Sequence, residues 1–286
     1  MSPLRQTAPG AFAPRFVFAV AGTAHVAKLA PALTALKRAT SHEIIVVQRA
    51  GDPLAPHDNR LAATLPSGLT DHQAAIWLKT NLHRLIGLER PFCYLDSDVL
   101  ALSPEINAIF AATQGPVAFA PDHATLDAFS FHAVRCGCRH KCGHLREAMF
   151  CHWGVDISGD FQLWNGGVFT AQAGAGPLLD DWHHLATAIF SAPYWFTRDQ
   201  AALAAAVWRA GCQHLPTLAP RFNLILDCFS RIAFHERASA PPSRLARFPQ
   251  HLPVPDAAAV HLINNGVGRK GWPHWDNLAT FLELPP

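Results

Sequence analysis

Short apolar runs alternate with helix-like patterns along the first part of this chain. The run FVFAVA at 16–21 is compact and ends at Gly22, as a buried strand does. Leucines then recur at helical spacing between 29 and 36, where Pro31 is expected to start or to kink the helix. A second apolar run, HEIIVV, occupies 42–47. Strand, helix and strand in succession predict the opening of a parallel sheet, in which both faces of each strand are covered.

Residues 70–88 have a strongly helical pattern, and Thr70 with Gln73 predicts a capping box at its start. Lys79 falls on a secondary stripe of this helix. The other predicted elements are a strand interrupted by two carboxylates at FCYLDSDVLAL (92–102), strands at PVAFAP (116–121) and FQLWNGGVFTA (161–171), and helices at PLLDDWHHLATAIF (177–190) and RDQAALAAAVWRAG (198–211).

The alternation of elements predicts one α/β domain over residues 14–286, with a mixed, mainly parallel sheet flanked by helices. Residues 1–13 contain several Pro and Gly positions and predict a flexible N-terminal tail. The Pro-rich segment 238–256 predicts an irregular surface excursion. We see no internal repeat in the sequence.

Composition narrows the class of protein. Half of the 286 residues are hydrophobic, so a sizeable buried core is expected. The formal net charge of +2 argues against a nucleic-acid binder, which usually carries a dominant basic surface. No window reaches the roughly 18 uninterrupted apolar residues of a transmembrane segment. The first apolar run is short and follows Arg15, so we expect no signal peptide and a cytoplasmic location, with peripheral membrane contact left open.

The most informative feature is Asp96-Ser97-Asp98. Alternate residues of a strand share a face, so the two aspartates are predicted to point the same way. Two like charges that are buried together repel unless a proton or a cation intervenes. A divalent ion would relieve this repulsion and keep coordination positions for phosphate oxygens. The alternative interpretation is a strand end with solvated carboxylates, because the D-x-D pattern is common by chance.

The segment FCYLDSDVLAL, preceded by the helix WLKTNLHRL, resembles the D-x-D strand of GT-A glycosyltransferases, especially the retaining family 8 type. Four further motifs resemble those of that family and occur in its order. They are WNGGVF (164–169), with Gly166 in place of the family's Ser, RDQAAL (198–203), FNLI (222–225) and HLINNGVGRKGW (261–272). The resemblance covers about residues 15–275, and its specificity lies in the shared order. The last motif is longer than the family's and has Gly271 in place of Pro.

The resemblance implies a glycosyltransferase that moves a hexose from a nucleotide-sugar donor to an acceptor hydroxyl, with retention if the family 8 match is the correct one. It implies that Asp96, Asp98 and His261 hold Mn²⁺ or Mg²⁺ and that Lys270 contacts the donor diphosphate. The other implied residues are Asn165, Asp199 and Gln200 around the donor sugar, Lys79 near the sugar or phosphate, and Ala21, Gly22 and Thr23 near the nucleoside, expected to be uridine. The acceptor, whether a glycan, a lipid-linked sugar or another hydroxyl compound, stays open.

Each implied position also has a purely structural interpretation. His261 can be a packed histidine at a strand end, and Asp199 can be a helix cap stabilised by the helix dipole. Asn165 can belong to a tight turn before two glycines. Lys270 can be a solvated loop residue. Trp164, Trp272 and Trp275 are expected to pack in the core rather than to stack on a sugar.

Four of the seven cysteines fall in a Cys/His-rich insertion at about 130–153. Tetrahedral zinc takes four Cys or His ligands, so Cys136, Cys138, Cys142 and Cys151 are a candidate structural zinc site. The alternative is an ordinary loop with reduced thiols, since none of the spacings matches the C-x-x-C knuckle. The remaining three, Cys93, Cys212 and Cys228, are predicted to be core residues.

Three other functions compete with glycosyl transfer. YLDSDVL (94–100) also resembles the Asp-x-Asp strand of haloacid-dehalogenase-type, Mg²⁺-dependent phosphatases. Against a phosphatase, at least two predicted strands precede this motif, and the later acidic pair Asp180 and Asp181 lies inside a predicted helix. A zinc-stabilised interaction module is supported only by the cysteine cluster. An inactive sugar-nucleotide-binding protein stays open as an alternative: loss of His261 or of either aspartate would favour it, and all three residues are present.

Overall fold

The structure is a computed structural model and describes residues 13–137, 141–227 and 256–284. Its strands are β1 (Arg15–Val20), β2 (Glu43–Arg49), β3 (Arg60–Ala63), β4 (Phe92–Leu95), β5 (Val99–Ala101), β6 (Val117–Thr125), β7 (Gln162–Ala171), β8 (Leu224–Asp227) and β9 (Ala259–Ile263). Its helices are α1 (Thr23–Ala39), α2 (Asp71–Thr80), α3 (Leu82–Leu85), α4 (Ile109–Ala112), α5 (Leu126–Ala133), α6 (His144–Trp153), α7 (Gly176–Ala188), α8 (Asp199–Arg209) and α9 (Pro273–Phe281). The predicted surface excursion and most of the predicted N-terminal tail lie outside the described residues.

The larger sheet has the strand order β3-β2-β1-β4-β7-β6. β3, β2, β1 and β4 are parallel, whereas β7 is antiparallel to both of its neighbours. Every residue of β1 and β4 is buried, which is why both strands read as continuous apolar runs. This arrangement confirms the mixed, mainly parallel sheet expected from the sequence.

A smaller sheet in the order β5-β9-β8 lies beyond the end of β4. β9 is antiparallel to β5, with His261 opposite Val99, and parallel to β8, with Ile225 opposite His261. The prediction of one strand running through the two carboxylates was wrong. The chain leaves the larger sheet at Leu95, turns, and joins the smaller sheet at Val99. The residues on both sides of the turn are apolar because β4 and β5 are both buried, although in different sheets. The sequence therefore shows no sign that the strand ends at Leu95.

The helix predicted at 70–88 begins as expected. The Thr70 side chain accepts a hydrogen bond from the Gln73 backbone at 3.2 Å, and the Gln73 side chain accepts one from the Thr70 backbone at 2.9 Å. The helix is not continuous, however, because Asn81 has a non-helical backbone that separates α2 from α3. Pro31 lies inside α1, which begins at Thr23, so Pro31 does not start the helix.

Apolar side chains pack on both faces of the larger sheet. Along β1, Val17 and Ala19 belong to the cluster that also contains residues of α2, α7 and α8. The alternate residues Phe16 and Phe18 belong to a second cluster that includes the apolar face of α1. Both faces of the sheet are therefore covered, as parallel strands require.

The smaller sheet packs against α9 and forms a separate hydrophobic core with it. This core contains Trp272 and Trp275. Trp164 packs in the cluster of α2, α7 and α8, so all three tryptophans are core residues, as predicted. Among the described helices, we find none with the length and apolar character needed to cross a bilayer.

Candidate functional site

Asp96 and Asp98 lie in the tight turn that connects the two sheets. Hydrogen bonds hold the turn on both sides, from the Asp96 backbone N–H to Gly167 O at 2.8 Å and from the Leu262 N–H to Asp98 O at 2.9 Å. A third bond, from the Val99 N–H to Asp96 O at 3.0 Å, closes the turn. The two carboxylates are thus brought together by a turn fixed between β7 and β9, and not by strand alternation.

His261 reaches this turn from the central strand of the smaller sheet. Its Nε2 atom lies 3.1 Å from Asp98 Oδ1. Ligand atoms of Asp96, Asp98 and His261 all lie within 4.8 Å of one another. The structure therefore brings the three residues implied as metal ligands into one cluster, although Asp96 and His261 come from opposite halves of the chain.

The charges of Asp98 and His261 depend on each other. Burial alone would raise the pKa of Asp98, but the charge and hydrogen bond of His261 lower that pKa below its ordinary value. Burial alone would lower the pKa of His261, and the charge and hydrogen bond of Asp98 raise it instead. Each member of the pair therefore favours the charged form of the other. A divalent ion bound here would take the place of the proton on the ring nitrogen of His261 that faces Asp98.

A buried chain of amides stands behind His261. Asn223 Oδ1 accepts from His261 Nδ1 at 3.1 Å, and Asn223 Nδ2 donates to Asn165 Oδ1 at 3.1 Å. Asn165 Oδ1 also accepts from the Gly167 N–H at 2.8 Å, and Asn165 Nδ2 donates to Asp122 Oδ2 at 2.7 Å. Because Nδ1 is engaged, the imidazole is oriented with Nε2 toward the carboxylate turn.

Lys79 lies on the other side of the carboxylate turn. Its ammonium is 3.0 Å from Asp199 Oδ2 and 3.3 Å from Asp96 Oδ2, and its side chain is 7% exposed. Burial alone would lower the pKa of Lys79, but Asp96 and Asp199 raise it above its ordinary value. The Tyr94 hydroxyl donates to Asp96 Oδ1. Asp96 is therefore held by two donors, and Lys79 links it to the first residue of α8.

A cavity of about 290 Å³ opens above these groups. The groups described above that line it are Lys79, Tyr94, Asp96, Asp98 and Asp199. His25, Lys28 and His72 line it as well, and sequence reasoning did not identify them. They sit among ordinary polar residues of α1 and α2, so no local signal marks them. The cavity therefore combines a carboxylate end with a side that carries basic groups.

Several implied residues do not line the cavity. Gln200 is buried, and its side chain accepts from the Gly166 N–H at 3.2 Å and donates to Trp164 O. Gly22 has a φ of 84°, and its N–H donates to Asp52 Oδ2 at 2.6 Å. Lys270 is exposed in the turn between β9 and α9. The first residues of that turn, at 264–265, do line the cavity.

The side chains of Asp96, Asn165 and His261 pack directly against the backbone at Gly167. A Cβ atom built there would lie 2.4 Å from His261 Cε1 and 2.8 Å from both Asp96 Oδ2 and Asn165 Oδ1. No side chain other than hydrogen fits this position without displacing the ligands. Two carboxylates and an imidazole are also ligands that divalent cations accept. The residues present therefore fit a divalent ion.

Two positions behind the site were missed by sequence reasoning. Asp122 follows an apolar run at the middle of β6, and Asn223 interrupts an apolar run just before β8. A polar residue inside an apolar strand pattern is a usable signal, because such a group must find a partner when buried. FNLI was noted as a motif, but the pairing of Asn223 with His261 is visible only in the structure.

The Cys/His-rich insertion forms a second cluster, distinct from the first. Cys136, Cys142 and His144 have ligand atoms within 4.8 Å of one another. Of the other predicted zinc ligands, Cys138 lies outside the described residues and Cys151 is exposed near the end of α6. Among the predicted core cysteines, Cys93 is fully buried, Cys212 is partly buried, and Cys228 lies outside the described residues.

Comparisons with known proteins place the fold. No family model matches this sequence, and no curated protein does. The apo structure of the bifunctional glycosyltransferase WbbM matches with a TM-score of 0.59 at 12% identity, over 99% of this chain and 51% of that one. This chain thus spans about half the length of WbbM.

Two structures of LgtC match over 95% of this chain and 97% of theirs. One is an active-site mutant, with a TM-score of 0.53 at 16% identity. The other is the galactosyltransferase LgtC in complex with donor and acceptor sugar analogs, with a TM-score of 0.51 at 15% identity. The chain therefore has the mixed α/β fold of these GT-A glycosyltransferases, which confirms the fold expected from its sequence.

Proposed function

We propose that this protein is a metal-dependent glycosyltransferase that moves a hexose from a nucleotide-sugar donor, a UDP-sugar, to an acceptor hydroxyl. One observation carries the proposal. Asp96, Asp98 and His261 have ligand atoms within 4.8 Å of one another, at the edge of a cavity, in a fold shared with glycosyltransferases. The three residues come from distant parts of the chain, so their meeting is a property of the fold and not of local sequence.

Asp96, Asp98 and His261 are proposed to hold Mn²⁺ or Mg²⁺. A bound divalent ion would stabilise the negative charge that develops on the leaving diphosphate as its bond to the sugar breaks. Asn223 positions His261, since it accepts from Nδ1 and leaves Nε2 for the ligand side. Tyr94 and Lys79 position Asp96 by hydrogen bonds to its two carboxylate oxygens.

The donor sugar is proposed to lie beside Asp199, which lines the cavity at the start of α8. Its carboxylate can accept hydrogen bonds from sugar hydroxyls while Lys79 holds it in place. Asn165 and Gln200 are proposed to act as positioning residues that do not touch the donor. They hydrogen-bond the N–H groups of Gly167 and Gly166 respectively, and so set the backbone next to the metal ligands.

The nucleotide is proposed to occupy the basic side of the cavity. Lys28 lines that side and offers a cationic donor to an anionic ligand. His72 lines it as well, and because burial lowers its pKa it offers the N–H of a neutral imidazole. The base would lie near the β1–α1 connection, where Ala21, Gly22 and Thr23 are located. Lys270 is proposed to approach the diphosphate from the turn that begins at 264–265, with residues that already line the cavity. The LgtC complex with donor and acceptor sugar analogs supports a site for both substrates in this fold.

We further propose that transfer occurs with retention of the anomeric configuration, in keeping with the resemblance to family 8. Once a donor is identified, proton NMR of the first product formed tests this directly. The anomeric coupling of the new linkage should match that of the donor sugar, and an inverted product would contradict the proposal.

The first test of the function is thermal stabilisation by UDP, with and without Mn²⁺, of the wild-type protein and Asp98→Ala. A ligand that binds only the native state raises the melting temperature by mass action. We expect stabilisation by UDP that requires Mn²⁺ and is absent in Asp98→Ala. Asp58→Asn, at an exposed position, serves as the matched control and should respond like the wild type.

A folded wild-type protein that responds to neither UDP nor GDP in the presence of metal would contradict the donor site. In that case an assay with a phosphate ester becomes the next experiment, because the D-x-D turn also resembles that of Mg²⁺-dependent phosphatases. If UDP binds with metal, a panel of UDP-sugars then identifies the hexose.

A further inference from the structure

The cluster in the Cys/His-rich insertion lies apart from the proposed donor site. Cys136 follows the C-terminus of α5, Cys142 precedes α6, and His144 is the first residue of α6. Sequence analysis predicted four cysteines as zinc ligands. Among the described residues, two of these cysteines lie together with a histidine. None of these three residues lines the cavity beside Asp96 and Asp98.

The distance between the two sulfur atoms fits a metal ion between them. Cys136 Sγ and Cys142 Sγ are 3.9 Å apart. Two thiolates on one tetrahedral zinc, each about 2.3 Å from the ion, lie about 3.8 Å apart. A disulfide would require about 2.05 Å, so the pair is not oxidised in this structure. The separation matches that of two ligands of one ion, and in the metal-free protein it brings the two thiols within reach of an S–H···S contact.

His144 supplies an independent observation. Its Nδ1 atom is buried and has no hydrogen-bond partner among the described residues. A buried polar atom without a partner costs free energy, and metal coordination removes that cost. The same residue offers its ligand atom within 4.8 Å of both sulfur atoms. An imidazole nitrogen together with two thiol sulfurs is a donor set that zinc prefers.

We propose that Cys136, Cys142 and His144 bind a zinc ion that ties the end of α5 to the start of α6. Binding converts both thiols to thiolates and releases two protons, while His144 coordinates in its neutral form. α6 contacts both α5 and α8, and α8 begins at Asp199. The zinc therefore stabilises the pairing of α5 with α6. α6 packs against α8, whose Asp199 lines the proposed donor site, so the zinc supports that site without contacting the donor.

The test is the zinc content of the full chain, measured by elemental analysis after reconstitution under reducing conditions and gel filtration. We expect about one zinc ion per chain, retained in Asp98→Ala, which removes a ligand of the other cluster. Cys142→Ser should lose the zinc, and His144→Asn should release it faster to a chromophoric chelator. Cys151→Ser is the matched control, because it removes an exposed thiol of α6 outside the cluster and should keep the zinc.

A second measurement covers the case in which a ligand variant fails to fold. Co²⁺ added to the metal-free wild-type protein should produce thiolate-to-cobalt charge-transfer absorption together with the visible bands of tetrahedral cobalt. The absorption should titrate away when Zn²⁺ is added, and it should be unchanged in Asp98→Ala. Two thiols should also become unreactive toward a thiol reagent when the metal is bound.

Two outcomes would overturn the proposal. One is a reduced, folded wild-type protein that takes up no Zn²⁺ and shows no charge-transfer absorption with Co²⁺. The other is zinc that is lost in Asp98→Ala and kept in Cys142→Ser, which would place it at the carboxylate cluster. Neither outcome affects the UDP test, so the zinc site and the proposed function fail or succeed separately.

Discussion

The two ligand clusters of this protein are built in opposite ways. Cys136, Cys142 and His144 come from one short segment of the chain, at the junction of two helices. Asp96 and His261 come from opposite halves of the chain and meet because β5 pairs with β9. The first cluster combines soft thiolates with an imidazole, and the second combines hard carboxylates with an imidazole.

The surroundings of the clusters differ as well. His261 is held by the buried chain of Asn223, Asn165 and Asp122. His144 Nδ1 has no such partner among the described residues. A ligand that is fully engaged by neighbours can stay in place while an ion enters and leaves with substrate. A ligand without partners gains most from a permanently bound ion. The proposed metal site at Asp96, Asp98 and His261 is therefore the one suited to an exchangeable ion, and the proposed zinc site is the one suited to a permanently bound ion.

The largest effect is expected for Asp98→Asn. The substitution keeps the shape of the side chain and removes the charge that balances His261 and would hold the ion. We expect a loss of transferase activity on the order of 10³-fold, together with loss of the Mn²⁺-dependent response to UDP. Zinc content should not change. Loss of both metals would show that the two clusters are not independent.

The next effect in size is expected for Gly167→Ala, because the added methyl group enters the space between Asp96, Asn165 and His261. We expect at least a tenfold weaker Mn²⁺ affinity, measured by calorimetric titration in the presence of UDP. Gly176→Ala is the matched control, since its Cβ would make only an ordinary contact at 4.0 Å with Leu88. Unaltered Mn²⁺ affinity in Gly167→Ala would argue against an ion at this position.

A comparable effect, exerted through His261, is expected for Asn223→Ala. The substitution leaves His261 Nδ1 and Asn165 Oδ1 without the partner that Asn223 provides. Loss of such a positioning group typically costs 10–100-fold in metal affinity. Excess Mn²⁺ should restore much of the activity if Asn223 acts only through His261. Activity that stays low at saturating Mn²⁺ would mean that Asn223 has a further role.

The smallest effect is expected for His183, which belongs to neither cluster. It shows how much of the pH dependence of stability arises outside the two clusters. Burial lowers the pKa of His183 to about 4 from its ordinary value of 6.5. The unfolded chain therefore binds a proton between these values and the folded chain does not, so this contribution to stability is present above pH 6.5 and is lost as pH falls toward 4. In His183→Gln, the free energy of unfolding should fall less between pH 7 and pH 5 than in the wild type. An equal fall in both proteins would contradict the assignment.

Sequence reasoning predicted the elements that are strongly patterned. It identified β1, β2 and the capping box at Thr70 and Gln73, because these depend on neighbours within a few residues. It did not place the end of β4, because buried residues on both sides of the carboxylates read as one apolar strand. It also did not foresee the interruption at Asn81, since the apolar stripe continues across it.

The proposed donor site was predictable only in part. Asp96, Asp98 and His261 were implied by motif order, and the structure brings them together. Lys79 was also implied, and its pairing with both Asp96 and Asp199 needed coordinates. Asp122, Lys28 and His72 were missed because single polar residues carry no periodic signal.

The sequence by itself determined the class of fold and the types of ligand that the chain can offer. Hydrophobic periodicity encodes which faces are buried, and residue chemistry encodes which ions those residues prefer. The tertiary structure decided which ligands meet. Strand pairing places His261 beside Asp98, and the junction of α5 with α6 selects His144 as the partner of two cysteines. Such meetings depend on contacts between residues far apart in the chain or across a turn, and local patterns do not record them.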